Sequence, residues 1–378
     1  MSVIMDTGNG ACAMAVKLAN PDVVAAYPIT PQTSISEKLA SFVANGELAA
    51  RYIAVESEHS AISAVSAASA AGARVFTATS SNGLVYMHEV LHYTAGGRLP
   101  VVMVNVNRAP SAPWCLYVDH QDSISQRDTG WIQIYAGNHQ EIHDNVLLAY
   151  RIAEELEIPV MVCYDGFTLS HSMAPYEAIK PETVNQFLPT RPLKWCLHPQ
   201  VSHYMFGSVT PAKEYSEYRA LLAQDLLAAE ESYTKFGSEL DALTGHESSK
   251  VIVPYRIDDA KYFVFSMGSM GAEAELAIDS LREKGVAVGG LRLKLFRPFP
   301  SKLLSSLLPK GARLLVLDRN YAYGTEGGVL LEEAKSSLFE RGAELSVSGR
   351  SVGIGGMELP ADFLEQTLQE MIHEMEEA

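Results

Sequence analysis

The chain contains no Cys-x-x-Cys pair. Its four cysteines, Cys12, Cys115, Cys163 and Cys196, stand singly, so an iron–sulfur cluster or structural zinc held by this chain alone is not expected, and small buried thiols are the better reading of most of them. No apolar run approaches the ~20 residues that span a bilayer. The first residues, Met1 to Gly8, lack a basic stretch followed by an apolar one, which argues against a secretion signal and for the cytoplasm. Positive charge is also scarce: 29 Lys and Arg stand against 45 Asp and Glu, a formal net charge of −16. Nucleic acid is therefore not an expected partner, because its binding needs clustered cations that displace counterions. Such a charge serves solubility, or docking to a partner with a basic face.

What is present is ample material for a core. At 378 residues and 47% hydrophobic content the chain can form two or three domains. From Gly10 to about residue 170 helical stretches alternate with short β-branched runs: strands are expected at Val23 to Ala26, Tyr52 to Val55, Val75 to Ala78, Val101 to Val106 and Pro159 to Cys163, and helices at Ala11 to Ala19, Ile35 to Phe42, Ala61 to Ala71 and Leu84 to Tyr93. That rhythm implies an α/β fold, a parallel sheet covered on both faces. Residues from about 175 to 250 break it with Pro-rich stretches and a polar helical segment near Ala212 to Phe236, read as an arm and linker. A smaller α/β unit follows, with strands at Lys261 to Phe265, Leu291 to Phe296 and Leu314 to Leu317 and an amphipathic helix after Pro360.

Three strand ends carry candidate chemistry. After Val23 to Ala26 comes Tyr27-Pro28-Ile29-Thr30-Pro31, in which two prolines restrict φ and withhold two donors; the loop is rigid and cannot extend a sheet. It is either a stiff strand-to-helix turn or a wall of the ligand crevice that open α/β sheets form at strand carboxyl ends. Glu58, in Val55-Glu56-Ser57-Glu58-His59-Ser60, is either a first-turn acid behind a Ser57 cap or a buried acid able to share a proton with a ligand nitrogen. Arg108, after Val101 to Asn107, either grips a ligand carboxylate through two parallel hydrogen bonds or pairs with Asp119, Asp122 or Asp128.

Other motifs compete. His88-Glu89-Val90-Leu91-His92 has the spacing of a zinc peptidase helix, with Glu89 as base. The extended form would need Gly and His where Ala95 and Arg98 stand, and no further glutamate occurs before Glu141, so a chance match inside an α/β helix is the reading adopted. Asp119-His120-Gln121-Asp122 and Gln126-Arg127-Asp128 suggest a polar loop laced by ion pairs rather than a metal site. Gly268-Ser269-Met270-Gly271 could receive phosphate at a helix N-terminus or simply make a tight turn.

Taken together, Gly8-Asn9-Gly10-Ala11, Tyr27-Pro28-Ile29-Thr30-Pro31, Glu56-Ser57-Glu58, Asn107-Arg108-Ala109 with Asp119-His120-Gln121-Asp122, and Arg127-Asp128-Thr129-Gly130-Trp131 resemble the α subunit of 2-oxoacid:ferredoxin oxidoreductases, pyruvate synthase above all. Leu295-Phe296-Arg297-Pro298-Phe299-Pro300 and Leu317-Asp318-Arg319 with Gly324-Thr325-Glu326-Gly327-Gly328 extend the resemblance through the second unit. It implies a pyrimidine-type thiamine-diphosphate-binding domain with a C-terminal arm at 1–235, a linker at 236–255, and a transketolase C-terminal-like domain at 256–378. The implied activity is oxidative decarboxylation of a 2-oxoacid to acyl-CoA and CO2, with electrons passing to iron–sulfur clusters and ferredoxin and coenzyme A as co-substrate.

By the same resemblance, Glu58 would bond N1′ of the aminopyrimidine and favour the tautomer that takes the thiazolium proton. Tyr27, Pro28 and Ile29 would line the cofactor, and Thr30 and Arg108 would hold the substrate's oxo and carboxylate groups. No Gly-Asp-Gly with a following Asn is present, so diphosphate, Mg2+ and the [4Fe-4S] clusters are assigned to β, γ and ferredoxin-like δ subunits, in a dimer of heteromers whose active site lies at an interface. The bulky Trp114-Cys115-Leu116-Tyr117 after Arg108 departs from the commoner pyruvate pattern and leaves a branched-chain or aryl 2-oxoacid, such as phenylglyoxylate, open. A non-catalytic scaffold subunit is the remaining alternative.

Overall fold

A computed structural model describes residues 2–190, 195–201, 205–342 and 344–377. The first unit runs β1 (Ser2–Thr7), α1 (Gly8–Ala19), β2 (Val23–Ala26), α2 (Thr33–Ala44), β3 (Arg51–Ala54), α3 (Glu58–Ala70), β4 (Val75–Thr79), α4 (Ser81–Tyr86), α5 (His88–Gly96), β5 (Val102–Asn107), α6 (Gln121–Ile124), β6 (Ile132–Tyr135), α7 (His139–Leu156) and β7 (Val160–Asp165). Then follow β8 (Met173–Ala178), α8 (Pro181–Phe187), α9 (Ala212–Leu227), α10 (Ala229–Thr244), β9 (Ile252–Tyr255), β10 (Tyr262–Met267), α11 (Ser269–Glu283), β11 (Val288–Leu293), β12 (Leu295–Arg297), α12 (Ser301–Leu307), β13 (Arg313–Asp318), α13 (Val329–Glu340), β14 (Ser346–Ser351) and α14 (Ala361–Glu377).

Among the described residues the large sheet has the order β12-β6-β7-β5-β4-β2-β3. All its neighbours pair in parallel except β12, which lies antiparallel on β6. Every residue of β4, β5 and β7 is buried, as their uninterrupted apolar runs require when helices cover both faces. Helix starts are set by side-chain caps: Thr7 accepts from Gly10 N–H, Ser57 from Ser60 N–H and Asn138 from Glu141 N–H. The second sheet, β14-β13-β10-β11-β9, is parallel apart from its edge strand β9, and β1 with β8 forms an antiparallel ribbon. Among the described residues no helix is long and apolar enough to cross a membrane.

Several elements differ from the pattern reading. Leu291 to Phe296 is not one strand: the chain leaves the second sheet after Leu293 and enters the first at Leu295. Lys294 sits at the crossing, fully buried, where its N–H donates to Val251 O at 2.9 Å and its carbonyl accepts from Tyr135 N–H at 2.7 Å. Two buried apolar runs joined end to end look alike in sequence whether they share a sheet or not. The helix over Leu84 to Tyr93 breaks at Met87 into α4 and α5, and the polar arm is two helices, α9 and α10. Residues 236–255 hold the second half of α10 and the strand β9. Cys12, Cys163 and Cys196 are buried free thiols and Cys115 is half-buried.

Candidate active site

Because β2, β3, β4, β5 and β7 are parallel, the segments that follow them share one edge of the sheet. The Pro turn leaves β2, Glu58 follows β3, Ser80 to Gly83 follow β4, Arg108 follows β5, and Asp165-Gly166 close β7.

The Pro turn is fastened from outside. Fully buried Asn9, at the start of α1, donates to Pro31 O at 2.7 Å and to Ser34 Oγ at 2.8 Å, while Tyr164 OH donates to Asn9 Oδ1 at 2.7 Å. Pro31 also presses on Gly166, where a Cβ would stand 2.8 Å from Pro31 Cγ and 2.4 Å from Asn107 O, so only glycine fits. The turn is thereby pinned over the ends of β5 and β7. Tyr27, Pro28 and Thr30 remain exposed and Ile29 is half-buried.

Arg108 is 4% exposed, and its Nη1 donates to Thr30 O at 2.8 Å. Its Nε donates to Cys115 O at 3.4 Å, and the guanidinium carbon lies 5.6 Å from the centre of the Trp114 ring. Among the described residues no carboxylate comes within ion-pair distance of this guanidinium, so the expected pairing with Asp119, Asp122 or Asp128 does not form. Burial pushes the Arg108 pKa down from its ordinary value. Asp122 instead holds the backbone: it accepts from Arg108 N–H at 3.1 Å, Asn107 Nδ2 at 2.8 Å, Asn105 Nδ2 at 3.0 Å and Ser81 N–H at 2.9 Å. Burial raises its carboxyl, and these donors act against that.

Glu58 is a first-turn acid, and a buried one. It opens α3 behind the Ser57 cap, and it is 8% exposed. Among the described residues no donor reaches its carboxylate. Its floor is Gly83, where a Cβ would stand 2.6 Å from Glu58 Oε1 and 2.6 Å from Thr79 Oγ1. Among the described residues the buried Thr79 hydroxyl has no hydrogen-bond partner either.

The first turn of α4 joins the acid to the arginine. Beside Gly83, Ser81 donates its N–H to Asp122 and its Oγ to Ala109 O at 2.8 Å, and Asn82 Oδ1 accepts from Ser111 N–H at 2.9 Å. Ser81 has φ of 50°, in the left-handed region that a residue with a Cβ seldom enters, and these bonds hold it there. Thr30 and Arg108 therefore touch, and Glu58 stands one step away across Gly83 and Ser81. Ser81 and Gly83 had no role in the sequence reading, for which the polar run Ser80-Ser81-Asn82-Gly83 directly after a strand was the available signal; Asn9 entered only within a motif, and Asp122 only as an ion-pair partner for the Arg108 side chain rather than as an acceptor for its backbone.

The competing motifs lie elsewhere. His88 and His92 pack edge to face with ring centres 4.9 Å apart, His88 Nδ1 bonds Gln126 Oε1 at 2.5 Å, and Glu89 is exposed, 3.7 Å from His59. Among the described residues no group of three or more His, Cys, Asp or Glu side chains could hold a metal ion. The turn before α11 already has its anion: Asp165 accepts from Ser269 N–H at 3.2 Å and from Ser269 Oγ at 2.6 Å. His120 and Arg319 bond the same carboxylate, at 2.7 and 2.8 Å. Burial alone would raise Asp165, but the charges of His120 and Arg319 hold it well below the usual carboxylate range. These residues join the two units.

Comparison with known proteins identifies the family of both units. Residues 14–238 match the family model described as pyruvate flavodoxin/ferredoxin oxidoreductase, thiamine diphosphate-binding, and residues 260–362 that of pyruvate:ferredoxin oxidoreductase core domain II. The ketoisovalerate oxidoreductase subunit VorA of Pyrococcus horikoshii is 44% identical over 365 residues, 97% of this chain and 92% of the relative. The pyruvate synthase subunit PorA of Methanothermobacter thermautotrophicus is 42% identical over 365 residues, 96% of this chain and 94% of the relative. Among solved structures, 2-oxoglutarate:ferredoxin oxidoreductase from Magnetococcus marinus, with 2-oxoglutarate, coenzyme A and succinyl-CoA bound, superimposes with a TM-score of 0.75 at 20% identity. That match covers 98% of this chain but 65% of the other.

Proposed function

The chain belongs to the thiamine-diphosphate-binding pyruvate flavodoxin/ferredoxin oxidoreductase family, and from that premise we propose that it is the α subunit of a multi-subunit 2-oxoacid:ferredoxin oxidoreductase. The reaction is oxidative decarboxylation of a 2-oxoacid with coenzyme A, giving acyl-CoA and CO2 and sending electrons singly to ferredoxin. One observation carries the reading. Two ionisable groups, Glu58 and Arg108, lie 8% and 4% exposed on one sheet edge, and among the described residues neither forms an ion pair. Burial without partners is costly, so such groups point to a ligand that supplies them.

The site fits the aminopyrimidine of thiamine diphosphate: a carboxyl for a ring nitrogen, a floor free of side chain at Gly83, and an unpartnered hydroxyl at Thr79. When bound, the cofactor supplies the nucleophile and electron sink that decarboxylation of a 2-oxoacid needs. Glu58 holds a proton at the ring nitrogen, and Tyr27, Pro28 and Ile29 line the ring's approach. Arg108 binds the 2-oxoacid carboxylate, with Trp114 against its guanidinium, and Thr30, pinned beside it, orients the oxo group. Partner subunits of β, γ and ferredoxin-like δ type hold the diphosphate, Mg2+ and the [4Fe-4S] clusters, as a dimer of heteromers in the cytoplasm.

Pyruvate is the first substrate proposed, and 2-oxoisovalerate the second, because relatives named for both acids are comparably similar. The decisive test purifies the complex with its partners and screens 2-oxoacids for CoA-dependent reduction of a one-electron acceptor. Reduction with pyruvate or a branched-chain acid is expected. No reduction with any 2-oxoacid, by a complex that retains thiamine diphosphate, overturns the proposal.

A further inference from the structure

Arg108 belongs to the first unit, yet the loop after it is fastened by the second. Cys115 Sγ donates to Gly355 O at 3.4 Å, and Gly356 N–H donates to Val118 O at 2.7 Å. His120 N–H donates to Arg319 O at 2.8 Å, and Tyr321 N–H to Gln121 Oε1 at 3.3 Å. Within the loop, Ala109 N–H closes on Tyr117 O at 3.0 Å. The end of this strap is rigid. Arg319, 3% exposed, bonds Asp165, which also bonds the His120 ring and Ser269, so the residue that starts α6 is held through both its backbone and its side chain.

From His120 the hold passes along one short path. Ile124 N–H donates to His120 O at 2.9 Å, which fixes α6, and α6 carries Asp122, the acceptor of Arg108 N–H. Asp122 has further donors at Asn107 and Ser81, so α6 cannot shift without moving the Arg108 backbone. A carboxylate gripped by a guanidinium depends steeply on where that guanidinium stands, since a displacement near ~1 Å can cost ~100-fold.

We infer that Arg319, in the second unit, is a positioning residue for 2-oxoacid binding: through Asp165, His120 and α6 it sets the place of Arg108. The inference rests on the assignment of Arg108 to the substrate carboxylate. In the assembled complex, Arg319→Gln is expected to raise KM for the 2-oxoacid ~10-fold. Its kcat should stay within about threefold and its bound thiamine diphosphate should be unchanged, because Glu58 is not on the path. Arg319→Lys, which keeps the charge, is expected to fall between, and Ser269→Ala, which removes one donor from Asp165, to shift KM the same way by less.

The deciding measurement is the double variant. In an Arg108→Ala background Arg319→Gln is expected to change KM no further, because its effect runs through Arg108. An equal increment in that background, an unchanged KM in the single variant, or a fall in kcat and cofactor content without a KM change would overturn the inference. If Arg319→Gln does not assemble, Arg319→Lys and Ser269→Ala carry the same comparison with the same deciding outcomes. Should Arg108→Ala alone leave KM unchanged, it is the substrate assignment of Arg108 that fails.

Discussion

The two sheets end alike and differ in what their ends are for. Each carboxyl edge carries a buried acid and a buried arginine: Glu58 and Arg108 on the first, Asp318 and Arg319 on the second, at 8%, 4%, 2% and 3% exposure. On the second edge both groups are used within the protein. Asp318 accepts from Leu330 and Leu331 N–H at 2.8 and 3.1 Å and so caps α13, and Arg319 meets Asp165 at 2.8 Å and Glu273 at 3.6 Å. On the first edge the carboxylate of Glu58 meets no donor among the described residues, and Arg108 meets carbonyls and an indole. Residue type and topological place are the same; the supply of internal partners is what separates the two edges.

Exchanging charges tests that contrast, and the largest effect is expected at Glu58. If its carboxyl acts on a proton of the cofactor, Glu58→Gln lowers kcat of the complete complex by ~100-fold or more, as loss of a general acid–base group does. The thermal midpoint should hardly move, since no internal donor is orphaned. Asp165→Asn should do the reverse. It leaves buried Arg319 with only the more distant Glu273 as counter-charge, an effect approaching the ~3–5 kcal/mol of stability, read from urea denaturation, seen when one partner of a buried pair is removed. Arg108→Ala should weaken 2-oxoacid binding by ~1.5–3 kcal/mol, the worth of charged hydrogen bonds, and cost less stability than Asp165→Asn. If Arg108→Ala unfolds the chain as readily as Asp165→Asn while KM stands still, the two edges are the same kind of object.

Much of the first edge was legible before the structure. The Pro turn, Glu58 and Arg108 each follow a β-branched run, and parallel strands bring such ends together without knowledge of strand order. The supports were not legible. Asn9 lies 22 residues from the Pro31 carbonyl it holds, and Asp122 lies 14 from the Arg108 N–H it accepts, so neither bond leaves a local pattern. The second edge was harder still, because Asp165 meets Ser269 and Arg319 across 104 and 154 residues. Gly268-Ser269 consequently reads as an open phosphate turn when its anion is a distant side chain. Lys294 marked the sheet crossing only as a charge inside an apolar run, a signal that periodicity does not interpret.

The smallest effect separates the two acids at the second edge by pH. Burial, with Glu332 nearby, pushes the Asp318 carboxyl up to about 7, whereas the same carboxyl in an unfolded chain titrates near its ordinary ~3.9. Between those values the folded chain keeps a proton that the unfolded chain has released. The contribution of Asp318 is therefore complete below pH ~4 and is lost as pH rises through about 7. Asp165 behaves oppositely: held below the usual range, it stabilises above pH ~4 and is lost only in stronger acid. Asp119, pushed up to about 6 by burial, and His246, raised by its bond to Asp144, slope in the same direction as Asp318. The measurement is accordingly a difference. Asp318→Asn keeps a capping oxygen for α13 but cannot titrate, so stability measured from pH 4 to 7 should fall less steeply than in the unaltered chain. Parallel curves would mean that the Leu330 and Leu331 N–H groups keep Asp318 ionised throughout, and that the second edge holds all of its charges as firmly as it holds Asp165.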